Sequence, residues 1–223
     1  MPVLEARNIH KKYDLKGREI NALKGVSLTV AAGEILLING RSGAGKTSLL
    51  HVIAGLEPPD EGEVRYDGKI LNCMSQEALA AWRGAHLGFV FQSNNLLHHL
   101  DLRQNVMLPL IYSGYREDEI EKRADEILAF MGLKERSNHR PDELSGGERQ
   151  RGALARALIC SPVFILADEP TAELDEQNAS LFYNLAARLA SESGIGFIIV
   201  SHDPMAAYLG VKPMRLEAGR WIE

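Results

Sequence analysis

Three short stretches of the chain are almost wholly apolar, and they set the architecture. Residues 34–39 (EILLIN), 163–167 (VFILA) and 196–200 (GFIIV) show no alternation of apolar and polar positions. Strands of this kind are buried on both faces and predict a parallel sheet covered by helices. Helical spacing lies between them. Ile120, Ala124, Ile127, Leu128 and Met131 recur at i, i+4, i+7, i+8 and i+11 and predict a helix over 119–131, closed by Gly132. Residues 46–54 predict a second helix after a glycine-rich turn, and 175–193 a third. Roughly residues 3–30 and the Asp67-Gly68 turn read as antiparallel hairpins. Roughly residues 93–138 read as mostly helical, with no buried-strand pattern. The expectation is an α/β core with a helical insertion.

Composition narrows the class. With 45% hydrophobic and 25% charged residues in 223, the chain is neither disordered nor fibrous and can bury a sizeable core. Its net charge of −5 gives no global pull toward nucleic acid or anionic lipid. Only Cys73 and Cys160 occur, which favours a reducing compartment over a disulfide framework, and both read as structural. Residues 1–12 do not resemble a signal peptide, and no apolar run approaches the ~20 residues that span a bilayer. Membrane work would need another chain to do the spanning.

The most specific local pattern is Gly40-Arg41-Ser42-Gly43-Ala44-Gly45-Lys46-Thr47, followed by Ser48. It fits G-x-x-x-x-G-K-[ST] and lies directly after an expected strand, opening an expected helix. Glycines there let backbone N–H groups wrap a phosphate, and the helix N-terminus adds partial positive charge. Lys46 can reach the β- and γ-phosphates, and the Thr47 hydroxyl can ligate Mg²⁺. A bare strand-to-helix turn would share the glycines but does not call for this spacing.

A second strand, 163–167, delivers Asp168-Glu169-Pro170 at its C-terminal end, where ligand chemistry sits in open α/β sheets. Asp168 can hold Mg²⁺, and Glu169 can orient or deprotonate an attacking water. Alone, this would be little more than a solvated acidic turn. A third pattern, Leu144-Ser145-Gly146-Gly147-Glu148-Arg149-Gln150-Arg151, precedes a helix running to about Ile159. Ser145 and Glu148 form an ordinary capping box. Two successive glycines are not part of such a box and point to close approach by another backbone or an anion.

With these three motifs together, the chain resembles the ATP-binding subunits of ABC transporters, over essentially its whole length. The resemblance implies a P-loop NTPase fold with a mixed sheet core, an N-terminal antiparallel β subdomain and a helical insertion. It implies one ATP-binding domain over 1–223, with its core at about 1–92 and 139–223 and a helical subdomain at about 93–138. The remaining motifs of that family match in order. Tyr13 resembles the aromatic that stacks on adenine, and Gln92 in FVFQS the glutamine that contacts Mg²⁺ and the attacking water. Asp175 in PTAELD resembles the aspartate at the dimer seam, and His202 in VSHD the histidine that contacts the γ-phosphate. Taken singly, Tyr13 is a half-buried strand residue, Gln92 a polar residue leaving a strand over 87–91, Asp175 a helix N-cap and His202 a structural histidine. Their order and spacing raise each above that reading.

The resemblance further implies ATP and Mg²⁺ as cofactors and a head-to-tail homodimer, each site pairing Lys46 of one copy with Ser145, Gly146, Gly147 and Glu148 of the other. It implies a separate transmembrane permease docked on the helical subdomain, at the cytoplasmic face of the inner membrane. Within the family, residues 138–144 (NHRPDEL) and 105–110 (NVMLPL) resemble the lipoprotein-release and macrolide-export (LolD/MacB-type) group. The chain departs from that group at Glu173 in TAELD, at Gln104, and at Gly152 inside the motif helix. Leu96, Leu97, His98, His99 and Leu100 follow Gln92 closely and form the expected partner surface, although some of these leucines belong to the core of the insertion. The two histidines lack an acid or cysteine to complete a metal site. A transmission module of the cell-division type, regulating an extracytoplasmic hydrolase, uses the same motifs. A soluble ABC ATPase acting on nucleic acid fits less well: only 99 residues separate Lys46 from Ser145, with no heptads, and the chain is acidic.

Overall fold

The computed structural model describes residues 1–111 and 114–222. Tyr112 and Ser113, inside the expected helical subdomain, and Glu223 lie outside the described residues. The chain opens with a long hairpin, β1 (Val3–Leu15) and β2 (Arg18–Ala31), paired antiparallel. Lys16 and Gly17 close it with φ of 55° and 81°, the turn geometry whose twist matches its strands. β3 (Ile35–Asn39) leads into α1 (Lys46–Ile53). A second hairpin follows, β4 (Glu61–Tyr66) and β5 (Lys69–Ile70), turned by Asp67 and Gly68. Then come α2 (Gln76–His86) and β6 (Leu87–Val90). The insertion contributes α3 (Leu102–Met107) and α4 (Glu117–Phe130). α5 (Gly146–Leu158), β7 (Phe164–Asp168), α6 (Glu176–Ser193) and β8 (Gly196–Val200) rebuild the core. A final hairpin is β9 (Met214–Glu217) with β10 (Arg220–Ile222).

Two sheets result. The first is antiparallel, in order β2-β1-β4-β5. The second runs β10-β9-β3-β8-β7-β6, parallel throughout except for the antiparallel edge strand β10. The unbroken apolar runs explain the layering. Phe164, Leu166, Ile198 and Val200 pack with Leu4, Ile9 and Val26 of the first sheet and with Leu49 and Ile53 of α1. Their sequence neighbours Ile165, Ala167, Phe197 and Ile199 pack with Leu102, Val106, Leu154 and Phe182 of α3, α5 and α6. Successive strand residues point to opposite faces, so each strand contributes to two cores, at ~1.5–3 kcal/mol per large side chain buried.

Gly152 in the middle of α5 is explained by this packing. A Cβ there would lie 2.5 Å from Leu102 Cδ1, so the glycine lets α3 seat on α5. Some expected boundaries move. The helix expected over 119–131 starts at Glu117, because the run Glu117-Asp118-Glu119 suits the positive end of a helix. The strand expected over 87–91 ends at Val90. The sequence reading did not anticipate α2, which buries only Leu79 and Trp82 and contains Gly84. It also missed the β9–β10 hairpin, whose strands of four and three residues are too short to show a period.

Candidate active site

β3 ends at Asn39, and the chain turns through residues 40–45 into α1. Gly40 and Gly45 adopt φ of 155° and 103°. A Cβ on Gly40 would lie 2.2 Å from the Leu216 carbonyl oxygen, and one on Gly45 2.4 Å from that of Ala22. The loop is therefore threaded between the C-terminal hairpin and β2, where only glycine fits. It borders an open cleft of about 1190 Å³ lined by Gly40, Arg41, Ser42, Gly43, Ala44, Gly45, Lys46, Thr47 and Ser48. Tyr13, Gln92, Asp168, Glu169 and His202 line the same cleft. Parallel strands deliver most of these groups, since β3, β7, β8 and β6 all end on this side.

Inside the cleft Lys46, Asp168, Glu169 and His202 are already engaged with one another or with Thr47. Lys46, only 8% exposed, donates from Nζ to the carbonyls of Gly40 (2.8 Å) and Arg41 (3.2 Å). The same nitrogen stands 3.6 Å from Glu169 Oε1. Thr47 Oγ1 donates to Asp168 Oδ2 at 2.7 Å. Glu169 sits at φ 46°, in the left-handed region that non-glycine residues seldom adopt. Its N–H donates to Val200 O at 2.8 Å, which ties the turn after β7 to β8. Its Oε2 accepts from the His202 backbone N–H (3.3 Å) and lies 2.8 Å from His202 Nδ1.

Two further residues are held from behind. Gln92 follows β6, and the next turn carries Asn94 and Asn95 at φ 59° and 49°. Arg156 of α5 donates to both of their carbonyls, at 2.7 and 2.5 Å. Burial holds the Arg156 guanidinium below its usual pKa. Tyr13 donates its hydroxyl to Glu57 Oε2 at 2.6 Å, beside α1, and Lys11 Nζ lies 5.5 Å from the centre of its ring. Burial, reinforced by Glu57, raises the Tyr13 hydroxyl above its ordinary pKa.

Ser145, Gly146, Gly147, Glu148 and Asp175 do not line this cleft. Ser145 caps α5 by accepting from Glu148 N (3.3 Å), and Glu148 Oε2 accepts from Ser145 N (2.8 Å). Glu148 Oε1 accepts from Arg136 Nε at 2.9 Å. The Ser145 N–H first, and then Arg136, hold the Glu148 carboxyl at about 2, against an ordinary 4.5. A carboxylate depressed in the folded chain stabilises it above the unfolded pKa, and that gain disappears as pH falls through the folded one. Glu148→Gln is therefore expected to lose less stability than the wild type between about pH 5 and pH 2, measured by urea unfolding across that range.

Asp175 caps α6 by accepting from Asn178 N at 2.8 Å. Asn178 in turn packs on α5: a Cβ at Gly147 would lie 2.0 Å from Asn178 Oδ1. Gly147 makes room for a side chain of its own chain, whereas a Cβ at Gly146 would meet only ordinary contacts, the nearest at 3.6 Å from Leu174 Cδ2.

The sequence reading missed part of the cleft wall. Arg18 and Lys24 of β2, with Arg215 and Ala218 of the last hairpin, also line it. Single surface cations carry no periodic signal. Arg215 reaches the cleft only because β9 pairs with β3, setting it opposite Asn39.

The ABC transporter family model matches residues 23–172. The chain is 42% identical to the lipoprotein-releasing system ATP-binding protein LolD of Chromohalobacter salexigens, covering 99% of this chain and 93% of that protein. It is 43% identical to the LolD protein of Psychrobacter arcticus, covering 98% and 97%. Among solved structures it resembles the dimeric ATP-binding cassette MJ0796 in a post-hydrolysis state bound to ADP and phosphate. That match has a TM-score of 0.90 and 37% identity, over 99% of this chain and 98% of the other. A phosphate loop after β3, an acid pair at the end of β7 on the far side of β8 and these likenesses agree: the chain belongs to the ABC transporter family of ATP-binding cassettes, in the group that contains the LolD proteins.

Proposed function

We propose that this chain is the ATP-hydrolysing subunit of a lipoprotein-release system, acting as a homodimer on a separate membrane subunit. The observation that carries the reading is the convergence in one cleft of Lys46, the Thr47–Asp168 pair and the Glu169–His202 pair. Backbone N–H groups of residues 40–48 receive the β- and γ-phosphates, with Lys46 exchanging its carbonyl and carboxylate acceptors for phosphate oxygens. Thr47 and Asp168 already face each other through hard oxygen atoms, the donor type Mg²⁺ selects, and Gln92 stands at the same cleft. Bound there, Mg²⁺ would offset negative charge on the phosphates. Glu169 accepts a proton from the water whose oxygen attacks the γ-phosphorus, while the bond to the β-phosphate oxygen breaks and ADP departs. His202 fixes the carboxylate that does this. Tyr13 offers a ring face to the base at the cleft's rim.

Ser145, Gly146, Gly147, Glu148 and Asp175 stand away from this cleft, which supports completion of each site by a second copy. MJ0796 is itself described as a dimer. Among the described residues no helix is long and apolar enough to cross a membrane; in this reading a separate transmembrane subunit spans the bilayer and docks on the helical subdomain at about 93–138, with this chain at the cytoplasmic face. Capture of Glu169→Gln chain from detergent-solubilised native membranes in Mg-ATP tests this. The expected companion is a four-span protein with a large external domain. Recovery of nucleic-acid machinery, or of no integral-membrane chain, overturns the reading.

A further inference from the structure

We infer that the hydroxyl of Tyr183, buried in α6, positions the Glu169–His202 pair through a closed ring of hydrogen bonds. The inference rests on the hydrolytic reading of that pair. Tyr183 is fully buried and lies outside the cleft wall. Its oxygen stands 3.0 Å from Thr171 Oγ1 and 2.9 Å from Ser201 Oγ. Thr171 Oγ1 donates to Asp203 Oδ2 at 2.6 Å, and Asp203 N donates back to Ser201 Oγ at 3.0 Å.

The proton directions follow from one fact. An ionised carboxylate only accepts. Thr171 therefore spends its single O–H on Asp203 and can only accept from Tyr183. Tyr183, having donated, can only accept from Ser201, which accepts from the Asp203 N–H. The ring Asp203–Ser201–Tyr183–Thr171–Asp203 closes with each hydroxyl donating once and accepting once. Thr171, Tyr183 and Ser201 are buried and Asp203 half-buried, and such a chain is mutually polarised and resists losing any one member.

Its members explain its purpose. Ser201 and Asp203 flank His202, and Thr171 lies two residues beyond Glu169. The ring thus joins the turn after β7, which carries Glu169, to the turn after β8, which carries His202, the two residues that meet at 2.8 Å through Oε2 and Nδ1. Tyr183 is the one member from neither turn. Its ring sits in the core beside Phe182, so the hydroxyl is fixed by α6 and in turn fixes both loops. Glu169 needs that restraint, because its backbone is held at φ 46°.

Tyr183→Phe keeps the ring and removes only the hydroxyl. On the full chain with Mg-ATP, kcat for hydrolysis is expected to fall about 10- to 100-fold with KM within about twofold, the effect of losing a supporting partner rather than a binding group. The NMR signal of the His202 ring is expected to shift in the same variant. Thr171→Val breaks the ring at another member and reads the same step if Tyr183→Phe folds poorly, while Thr171→Ser, which retains the hydroxyl, is expected to restore turnover. Val64→Ala, in the antiparallel sheet, controls for lost stability alone and should leave kcat unchanged. Retained kcat and an unmoved His202 signal in Tyr183→Phe and Thr171→Val overturn the inference. So does a loss of kcat that Val64→Ala reproduces at equal thermal stability. Glu169→Gln and His202→Ala separate the two levels. If they abolish turnover while the ring variants do not, only the inference fails; if they do not, the hydrolytic reading fails.

Discussion

Glu169→Gln is expected to lower single-turnover ATP hydrolysis about 10²- to 10⁴-fold, the range typical of a lost general base, while Mg-ATP still binds. The substitution preserves shape and one acceptor oxygen, so the N–H of His202 and the Val200 carbonyl keep their partners. What disappears is the negative charge facing Lys46 at 3.6 Å and His202 at 2.8 Å. Losing the first contact favours nucleotide binding. Lys46 Nζ divides its donors among Gly40 O, Arg41 O and Glu169, and a triphosphate competes with all three. With glutamine at 169 one competitor is weakened, so ATP affinity is expected to hold or rise slightly. The variant therefore separates binding from chemistry, read by rapid-quench hydrolysis beside equilibrium titration with a fluorescent nucleotide. A rate within tenfold of wild type would mean that another group activates the water. A parallel loss of affinity would mean that Glu169 chiefly holds the phosphate loop in shape.

The parts of this molecule that the sequence made legible are those where local chemistry and tertiary place coincide. Strands buried on both faces must be apolar throughout, so β3, β7 and β8 announced themselves within a residue or so. The phosphate loop was legible because its glycines and Lys46 sit at fixed spacing between a strand and a helix. By contrast, α2 lies largely at the surface and presents little apolar face, and β9 is a strand only because β3 offers it an edge. Arg215 was invisible for the same reason: nothing in its neighbours says that it will meet Asn39. The Tyr183 ring was invisible because its four residues lie at 171, 183, 201 and 203, and only the packing of α6 against the turns after β7 and β8 brings them together. Gly147 shows the converse. Its motif pointed outward, yet its tightest neighbour is Asn178 of the same chain.

The glycines of the phosphate loop are not equivalent, and the difference is measurable. Gly43 and Gly45 both adopt positive φ, 77° and 103°. A Cβ on Gly43 meets nothing within 4 Å, whereas one on Gly45 would lie 2.4 Å from the Ala22 carbonyl oxygen and 3.2 Å from Leu23 Cδ2. Alanine at 43 therefore bears only the left-handed backbone penalty, about 1 kcal/mol. Alanine at 45 adds a collision with main chain of β2 at Ala22, whose neighbours Asn21 and Leu23 both pair with β1, so the obstacle is backbone and not the free end of a side chain. Gly45→Ala is expected to cost about 2–4 kcal/mol, a fall of roughly 5–15 °C in Tm for a chain of this size. Relief requires the loop to lift away from β2, which carries the N–H groups of Ala44 and Lys46 out of register with a phosphate. Nucleotide affinity should therefore fall at least about tenfold even at temperatures where the variant is fully folded, since one misplaced charge-assisted hydrogen bond is worth about 1.5–3 kcal/mol. Differential scanning calorimetry beside nucleotide titration decides it. Equal losses for Gly43→Ala and Gly45→Ala would show that backbone conformation alone selects glycine in this loop, and that its approach to β2 plays no part in shaping the phosphate site.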